Sequence, residues 1–450
     1  MYTIPKDSVI TSEEIKKAIK YNENTLKETY QKLDDYYEGD HEIMKRAKAD
    51  ALKNNRVVVN HASYITDINV GYLLGNPVEY QAEKGVDIDP ILEAYKKQTI
   101  RDLDHELAIN TSIMGKSFEY VYATEESEPR SAFIDPRNCI VLYDDTVAHK
   151  KVAAITYTRA NVTKGKEAYE GVVVYTMDEI AQYDEELKIV QVDQHSFGGV
   201  PIIEHKNNSR DKGDFAKVIS LIDAYNTLQS DRVNDKEQLV EALLILYGIK
   251  VTPTMLKQLK ENRVMSVGNK NEGTGAEYLV KALNETDVDV LRQNIESDIH
   301  KISMTPNLSD ENFVGNSSGV AIRYKLIAFE QSVKNKERYL EKGLKERIVL
   351  YSTYLNKLNK GVKIVEPHKV DAVFKRNLPQ NDFETSQMLL NLSDFVDQET
   401  LLGQVSFIQD VQEVMKKKAE ERAEAVEKMI EEFGRDPVND EDNSDVNDDE

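Results

Sequence analysis

Only one cysteine, Cys139, occurs in 450 residues, and tryptophan is absent. A lone thiol cannot close an internal disulfide, so a secreted disulfide scaffold is excluded and synthesis in a reducing cytoplasm is expected. No stretch approaches the ~18 consecutive apolar residues of a membrane span. The opening residues Met1-Tyr2-Thr3-Ile4-Pro5-Lys6 lack the apolar run of a signal peptide, and a soluble chain is expected. The 23 tyrosines are dispersed, which favours core packing over a platform for stacking bases. Basic residues are also in short supply, 58 Lys and Arg against 80 Asp and Glu, for a net charge of −22. Proteins that grip nucleic acid do so by neutralising phosphates, so this balance argues against tight DNA binding. It is compatible with a wall past which a polyanion slides. Eight acidic residues and no Lys or Arg lie between Asp436 and Glu450, and a disordered tail is expected over 436–450.

Motifs for chemistry are equally scarce. Gly115-Lys116-Ser117 has the ending of a phosphate-binding loop, but the glycine needed five residues earlier is Asn110, and a strand pattern follows where a helix N-terminus should hold the phosphates. The eight histidines are scattered, His41-Glu42 has no second histidine at metal-ligand spacing, and Cys139 has no Cys-x-x-Cys partner. No Gly-x-Ser-x-Gly nucleophile elbow is present. No catalytic residue, cofactor or metal site is expected. Gly115-Lys116-Ser117 is the only support for a nucleotide-driven motor subunit, and the long helices described next would also suit a protein-interaction scaffold without a DNA role.

The residues that are present read as α+β and helix-rich. Thr11 with Glu14 forms a capping-box pattern, and Ile15, Ile19, Leu26, Tyr30, Leu33 and Tyr37 then keep to one helical stripe that Gly39 ends. Alternating runs between Ser117 and Gln194 predict an antiparallel sheet. Asp214 is a candidate cap for a helix to about Leu246. After it come an insert with strands at 249–251, 264–267 and 278–280, a second helix from about Asp287 to Ser303 stopped by Pro306, and a polar loop. The longest helix follows, with Ile322, Leu326, Phe329, Val333, Leu340, Leu344, Ile348, Tyr351 and Leu355 on one face. Val370 to Phe374 reads as a strand, and Gln398 to Phe433 as charged helix. A helix pair enclosing a small insert makes sense in a ring, where neighbouring pairs bury one another around a channel.

Several separated segments resemble the portal proteins of tailed double-stranded DNA bacteriophages, in particular the group found in long-tailed phages of Gram-positive bacteria. They are Val59-Asn60, Val70-Gly71-Tyr72-Leu73-Leu74-Gly75-Asn76-Pro77, Asp135-Pro136, His205-Lys206-Asn207-Asn208, Gly213-Asp214-Phe215, Leu221 to Asn226, Ser230-Asp231, Asn234-Asp235, and Pro306 to Ala321. The resemblance implies the portal fold of wing, stem, clip and crown, in a homo-oligomeric ring, usually of twelve subunits, in the virion at the capsid portal vertex. Its parts would be a wing (1–213), stem helix 1 (214–246), clip (247–286), stem helix 2 (287–306), tunnel loop (307–319), long helix with a wing return strand (320–380), crown helices (381–435) and the acidic tail (436–450). It implies a non-enzymatic channel for packaging viral double-stranded DNA into the procapsid and later ejecting it. Implied partners are DNA in transit, the terminase packaging motor, the head-tail connector, and the major capsid and scaffolding proteins, with assembly in the host cytoplasm. By the same resemblance Ser309, Asp310, Glu311, Asn312, Phe313, Gly315, Asn316, Ser317 and Ser318 would line the tunnel. Asn312, Asn316, Ser317 and Ser318 would touch phosphates weakly, while Asp310 and Glu311 either repel DNA or pair with a cation on the neighbouring subunit. Val264, Met265, Ser266, Asn269, Lys270, Gly273 and Gly275 would dock the motor and the connector.

Overall fold

The structure, a computed structural model, describes residues 1–6, 8–47, 54–163, 166–240, 243–247, 252–254, 257, 275–279, 285–309, 324–358 and 361–376, with short stretches between 387 and 425. It divides into two units, Met1–Asn377 and Leu378–Glu450. In the second unit the described structure includes a short helix, Gln398–Leu402.

The first helix is capped as its sequence predicts, but it is not one straight stripe. β1 (Tyr2–Ile4) leads to α1 (Ser12–Tyr21), where Thr11 Oγ1 accepts from the Glu14 amide at 3.3 Å. The Glu14 carboxylate turns to Lys17 at 3.1 Å. A π-helical turn, Asn22–Lys27, then separates α1 from α2 (Glu28–Glu38), which Gly39 ends in left-handed backbone at φ +94°. The wider turn rotates the apolar face. Ile15 and Ile19 join one core, whereas Tyr30, Leu33 and Tyr36 join another. The buried Asn22 sits at the change, its amide donating to the Tyr157 hydroxyl at 3.0 Å.

The chain continues through α3 (His61–Leu74), β2 (Glu79–Ala82), α4 (Asp89–Lys97), α5 (Ile100–Met114), β3 (Lys116–Ala123), β4 (Pro129–Ile134), β5 (Cys139–Asp144), β6 (Lys151–Thr156), β7 (Arg159–Thr163), β8 (Lys166–Glu170), β9 (Val172–Tyr175), β10 (Glu179–Tyr183), β11 (Ile189–Gln194) and β12 (Ile202–Lys206). The main sheet has the order β1-β5-β6-β9-β10-β11, and a smaller one β12-β3-β4. Pairing is antiparallel as predicted, except that β1 runs parallel to β5. Alternation along β5 explains the layers. Ile140 and Leu142 point into the core that holds Ile15 and Ile19, while Cys139 and Val141 meet Phe118 and Ile202 of the small sheet. The buried Cys139 thiol acts there as a small apolar group.

α6 (Ile219–Val240) and α7 (Glu285–Ser303) pack on each other, with the hairpin β13 (Leu243–Tyr247) and β14 (Gly275–Leu279) between them in sequence. The helix expected over 214–246 is therefore shorter at both ends. At its start Asp214 accepts from Asn207 and Lys336 instead of capping. At its end Leu243–Tyr247 exchanges helical hydrogen bonds for a ladder with β14, which helical spacing of the leucines could not reveal. Of the other expected insert strands, 278–279 falls in β14, and 249–251 and 264–267 lie outside the described residues. α8 (Ile327–Lys357) packs on β12 and β4, and β15 (Val370–Val373) returns to pair antiparallel with β2. Leu326, Phe329, Val333, Leu340, Leu344, Ile348, Tyr351 and Leu355 are all buried along it, as the stripe predicts.

Candidate functional site at the loop base

α7 ends where Pro306 cannot supply a helical amide. Met304 takes left-handed backbone at φ +59°, and the chain turns toward the polar loop. Its departure is braced on several sides. His300 Nδ1–H donates to the Thr305 carbonyl at 3.0 Å. Tyr64 donates to the Pro306 carbonyl at 3.1 Å and accepts from the Leu308 amide at 2.8 Å. Asn307 donates to Glu296 at 3.1 Å and accepts from the Ser309 amide at 3.1 Å. The fully buried Thr305 accepts from Asn69 at 2.8 Å. Such side-chain bonds satisfy the backbone groups that a helix end leaves open.

Around this base lies an aromatic cage. His61 meets Tyr225 edge-on at 4.8 Å and His300 at 5.7 Å, and Tyr64 meets His300 at 5.5 Å. Burial, then the nearby His300, pushes His61 down to about 4 against a weaker pull from Glu296, and burial lowers His300 as well. The cage is thus uncharged at neutral pH. In the unfolded chain His61 takes up a proton below pH 6.5, whereas in the folded one it does so only near 4, so stability must fall as pH drops through that window. His61→Phe should remove about 3 kcal/mol of this pH dependence and make the variant less sensitive than wild type between pH 6.5 and 4. Denaturant titrations at pH 7 and 4 measure it; parallel losses in the two proteins would refute the assignment.

Of the residues expected to line the tunnel, Ser309 belongs to this base, and Asp310, Glu311, Asn312, Phe313, Gly315, Asn316, Ser317 and Ser318 lie outside the described residues. Of the expected docking residues, Gly275 opens β14 opposite Tyr247, while Val264, Met265, Ser266, Asn269, Lys270 and Gly273 lie outside.

The structure adds a strap that motif reading missed. Asn226, Ser230 and Asn234, one helical turn apart on α6, accept from the amides of Val59, Val57 and Asn55 at 2.8, 2.9 and 2.8 Å. Four residues of helix rise ~6 Å, and two residues of extended chain ~6.7 Å, so helix and strap stay in register over the two steps between these three bonds. The polar spacing Asn226-x3-Ser230-x3-Asn234 was the available signal. Asn226 also donates to His41 Nδ1 at 2.7 Å, which leaves the His41 Nε2–H to donate to the Tyr36 carbonyl at 2.8 Å.

The sequence that resembled a phosphate loop has another use. Gly115 ends α5, and Lys116 begins β3 with its ammonium 3.2 Å from Glu204 and 3.6 Å from Asp211. That charge is already matched by two carboxylates.

Residues 16–428 match the family described as phage portal protein, SPP1 Gp6-like. A portal protein of Clostridium phage phiCD119 is 21% identical over 434 residues, spanning 88% of this chain and 93% of the relative. The portal protein of Bacillus phage SPP1 is 24% identical over 398 residues, spanning 83% and 77%. Among solved structures, a chain from the neck of an empty GTA particle computed with C6 symmetry aligns over 78% of this chain and 87% of its own length, with 12% identity and a TM-score of 0.45.

Proposed function

The chain belongs to the SPP1 Gp6-like family of phage portal proteins, and from that premise we propose how its parts divide the work of a DNA channel. A portal protein is a structural subunit of the virion channel through which viral double-stranded DNA is packaged and later ejected. In our reading this chain forms a ring of twelve. Residues 1–213 with the returning strand form the wing, α6 and α7 the stem, the insert with β13 and β14 the clip, and 381–435 the crown. The loop over 307–319 lines the narrowest passage, and the insert docks the terminase motor and then the connector. Capsid and scaffolding proteins meet the outer parts during assembly in the host cytoplasm.

The observation that carries this reading is the family match across residues 16–428, which spans stem, loop and long helix together. The charge supports it: a chain of net charge −22 repels a polyanion instead of holding it, and DNA in transit must not be held. The braced base supports it too, because a loop that meets moving DNA needs a fixed anchor. The reading assigns no catalytic step, and ATP turnover by the purified ring would count against it.

Negative-stain imaging of the purified chain should give closed rings with a central hole; open or irregular assemblies would favour a scaffold without a DNA role. Deleting Asn312 to Ser317 should leave rings intact and impair packaging. Rings that still fill heads with full-length DNA would remove the role assigned to the loop.

A further inference from the structure

The apolar stripe of α8 has one gap of seven residues, between Val333 and Leu340. Its missing member is Lys336, buried at 7% exposure. A buried ammonium is costly unless each proton finds a partner, and the partners here lie on other elements. Lys336 Nζ donates to Asn69 Oδ1 of α3 at 2.8 Å and pairs with Asp214, ahead of α6. Asn69 in turn donates to the Thr305 hydroxyl at 2.8 Å and to the Ile65 carbonyl at 2.8 Å. Asp214 accepts from Asn207 at 2.8 Å and from the Ser112 hydroxyl at the end of α5. Lys336 also borders a cavity of about 20 Å³ with Asn69, Ser112, Asn207 and Leu340, room for about one water.

An apolar residue at 336 would complete the stripe at lower cost. What it could not do is bond three elements at once. We propose that Lys336 is a positioning residue for the loop that follows Thr305. Through Asn69 it ties the loop base to α8, and through Asp214 it ties both to the start of α6. A displacement of the long helix then reaches the loop base through a chain of directional bonds from Lys336 through Asn69 to Thr305. Buried ionic groups of this kind fix register between elements that apolar packing alone would let slide. Burial lowers the Lys336 pKa although Asp214 opposes it. The channel role of the loop rests on the reading above; the coupling does not.

Hydrogen exchange on the full-length chain separates the two. The reporter is the Leu308 amide, which bonds Tyr64 and touches neither Lys336 nor Asp214. Thr305→Val breaks the last link only, and Lys336→Met with Asp214→Asn removes the charged link without leaving a lone charge. Both should speed exchange at Met304, Thr305 and Leu308 by about tenfold, the scale of one lost hydrogen bond, while amides of β3 keep their rates. Thr305→Ser, which retains the hydroxyl, should restore wild-type exchange. Unchanged exchange at Leu308 in both variants overturns the coupling, as does acceleration spread evenly over β3. These outcomes need neither DNA nor a ring. Packaging is then measured with the same variants: faster exchange with unaltered packaging would uphold the coupling and count against the loop's place in the channel.

Discussion

Replacing Arg347 by methionine should cost about 3–5 kcal/mol of folding stability at neutral pH, the penalty of leaving buried carboxylates unpaired. Arg347 is fully buried in α8. Its Nε lies 2.5 Å from one oxygen of Glu119 and its Nη2 2.9 Å from the other, and Nη2 also lies 2.6 Å from Asp104. His205 Nε2–H donates to Glu119 at 2.8 Å. Gly343 makes this possible, because a Cβ there would stand 2.3 Å from His205 Nδ1. Burial alone would raise Glu119, but Arg347 and His205 outweigh it and hold the carboxyl at about 2. For Asp104, with the single contact, burial prevails and its pKa is raised.

The pH dependence identifies the cause. In wild type the Glu119 contribution is complete above pH 4.5 and is lost as pH falls toward 2. Without Arg347 the same buried carboxyl keeps only the His205 bond, and burial, the largest influence on it, then raises its pKa. Protonation then relieves the variant between pH 7 and pH 4, where wild type has lost little at Glu119, so the deficit should shrink across that window. Denaturant titration at both pH values tests this. A deficit that stays constant would mean that the loss is one of packing, not of uncompensated charge.

Much of this fold was legible because apolar periodicity reports burial directly. The α8 stripe follows from it, while the cap at Thr11 and the stop at Gly39 were legible from side-chain and backbone chemistry. What periodicity hid was buried polarity. Both stripes have a seven-residue gap, Ile19 to Leu26 and Val333 to Leu340, and each gap contains a buried polar residue, Asn22 in one and Lys336 in the other. Strand alternation likewise puts Glu119 opposite Phe118, as though facing water, and the packing of α5 on β3 with Arg347 of α8 reaching in explains its burial. The end of α6 was illegible for a different reason. Leu243 and Leu246 satisfy helical spacing, and the partner that makes them a strand is thirty residues away. The loop base shows the same limit. Tyr64, Asn69 and Thr305 are distant in sequence and carry no motif, so their joint role depends on the packing of α3 against the end of α7.

Gly115→Ala should be nearly as damaging as the loss of Arg347, and for reasons of backbone alone. Gly115 sits at φ +86°, where an L side chain costs ~1–2 kcal/mol, and an added Cβ would lie 2.3 Å from the Asp211 carbonyl oxygen. Nothing flexible can give way. The Asn207 amide donates to the Gly115 carbonyl at 2.9 Å, and the Asp214 amide to the Ser112 carbonyl at 2.8 Å. Gly213 approaches from the facing segment in the same way, its absent Cβ 2.0 Å from the Ile113 carbonyl oxygen. Two glycines thus let the end of α5 and the turn before α6 lie against each other, which fixes Asp214 for Lys336. Strain and clash together should cost about 3 kcal/mol. Because the turn carries Asp214, exchange at Leu308 should quicken in this variant as well. The same substitution decides what Gly115-Lys116-Ser117 is for. A phosphate loop would make nucleotide raise the denaturation midpoint of wild type and lose that effect in Gly115→Ala. A turn whose lysine already faces Glu204 and Asp211 predicts no nucleotide effect in either protein, and a lower midpoint in the variant regardless of ligand.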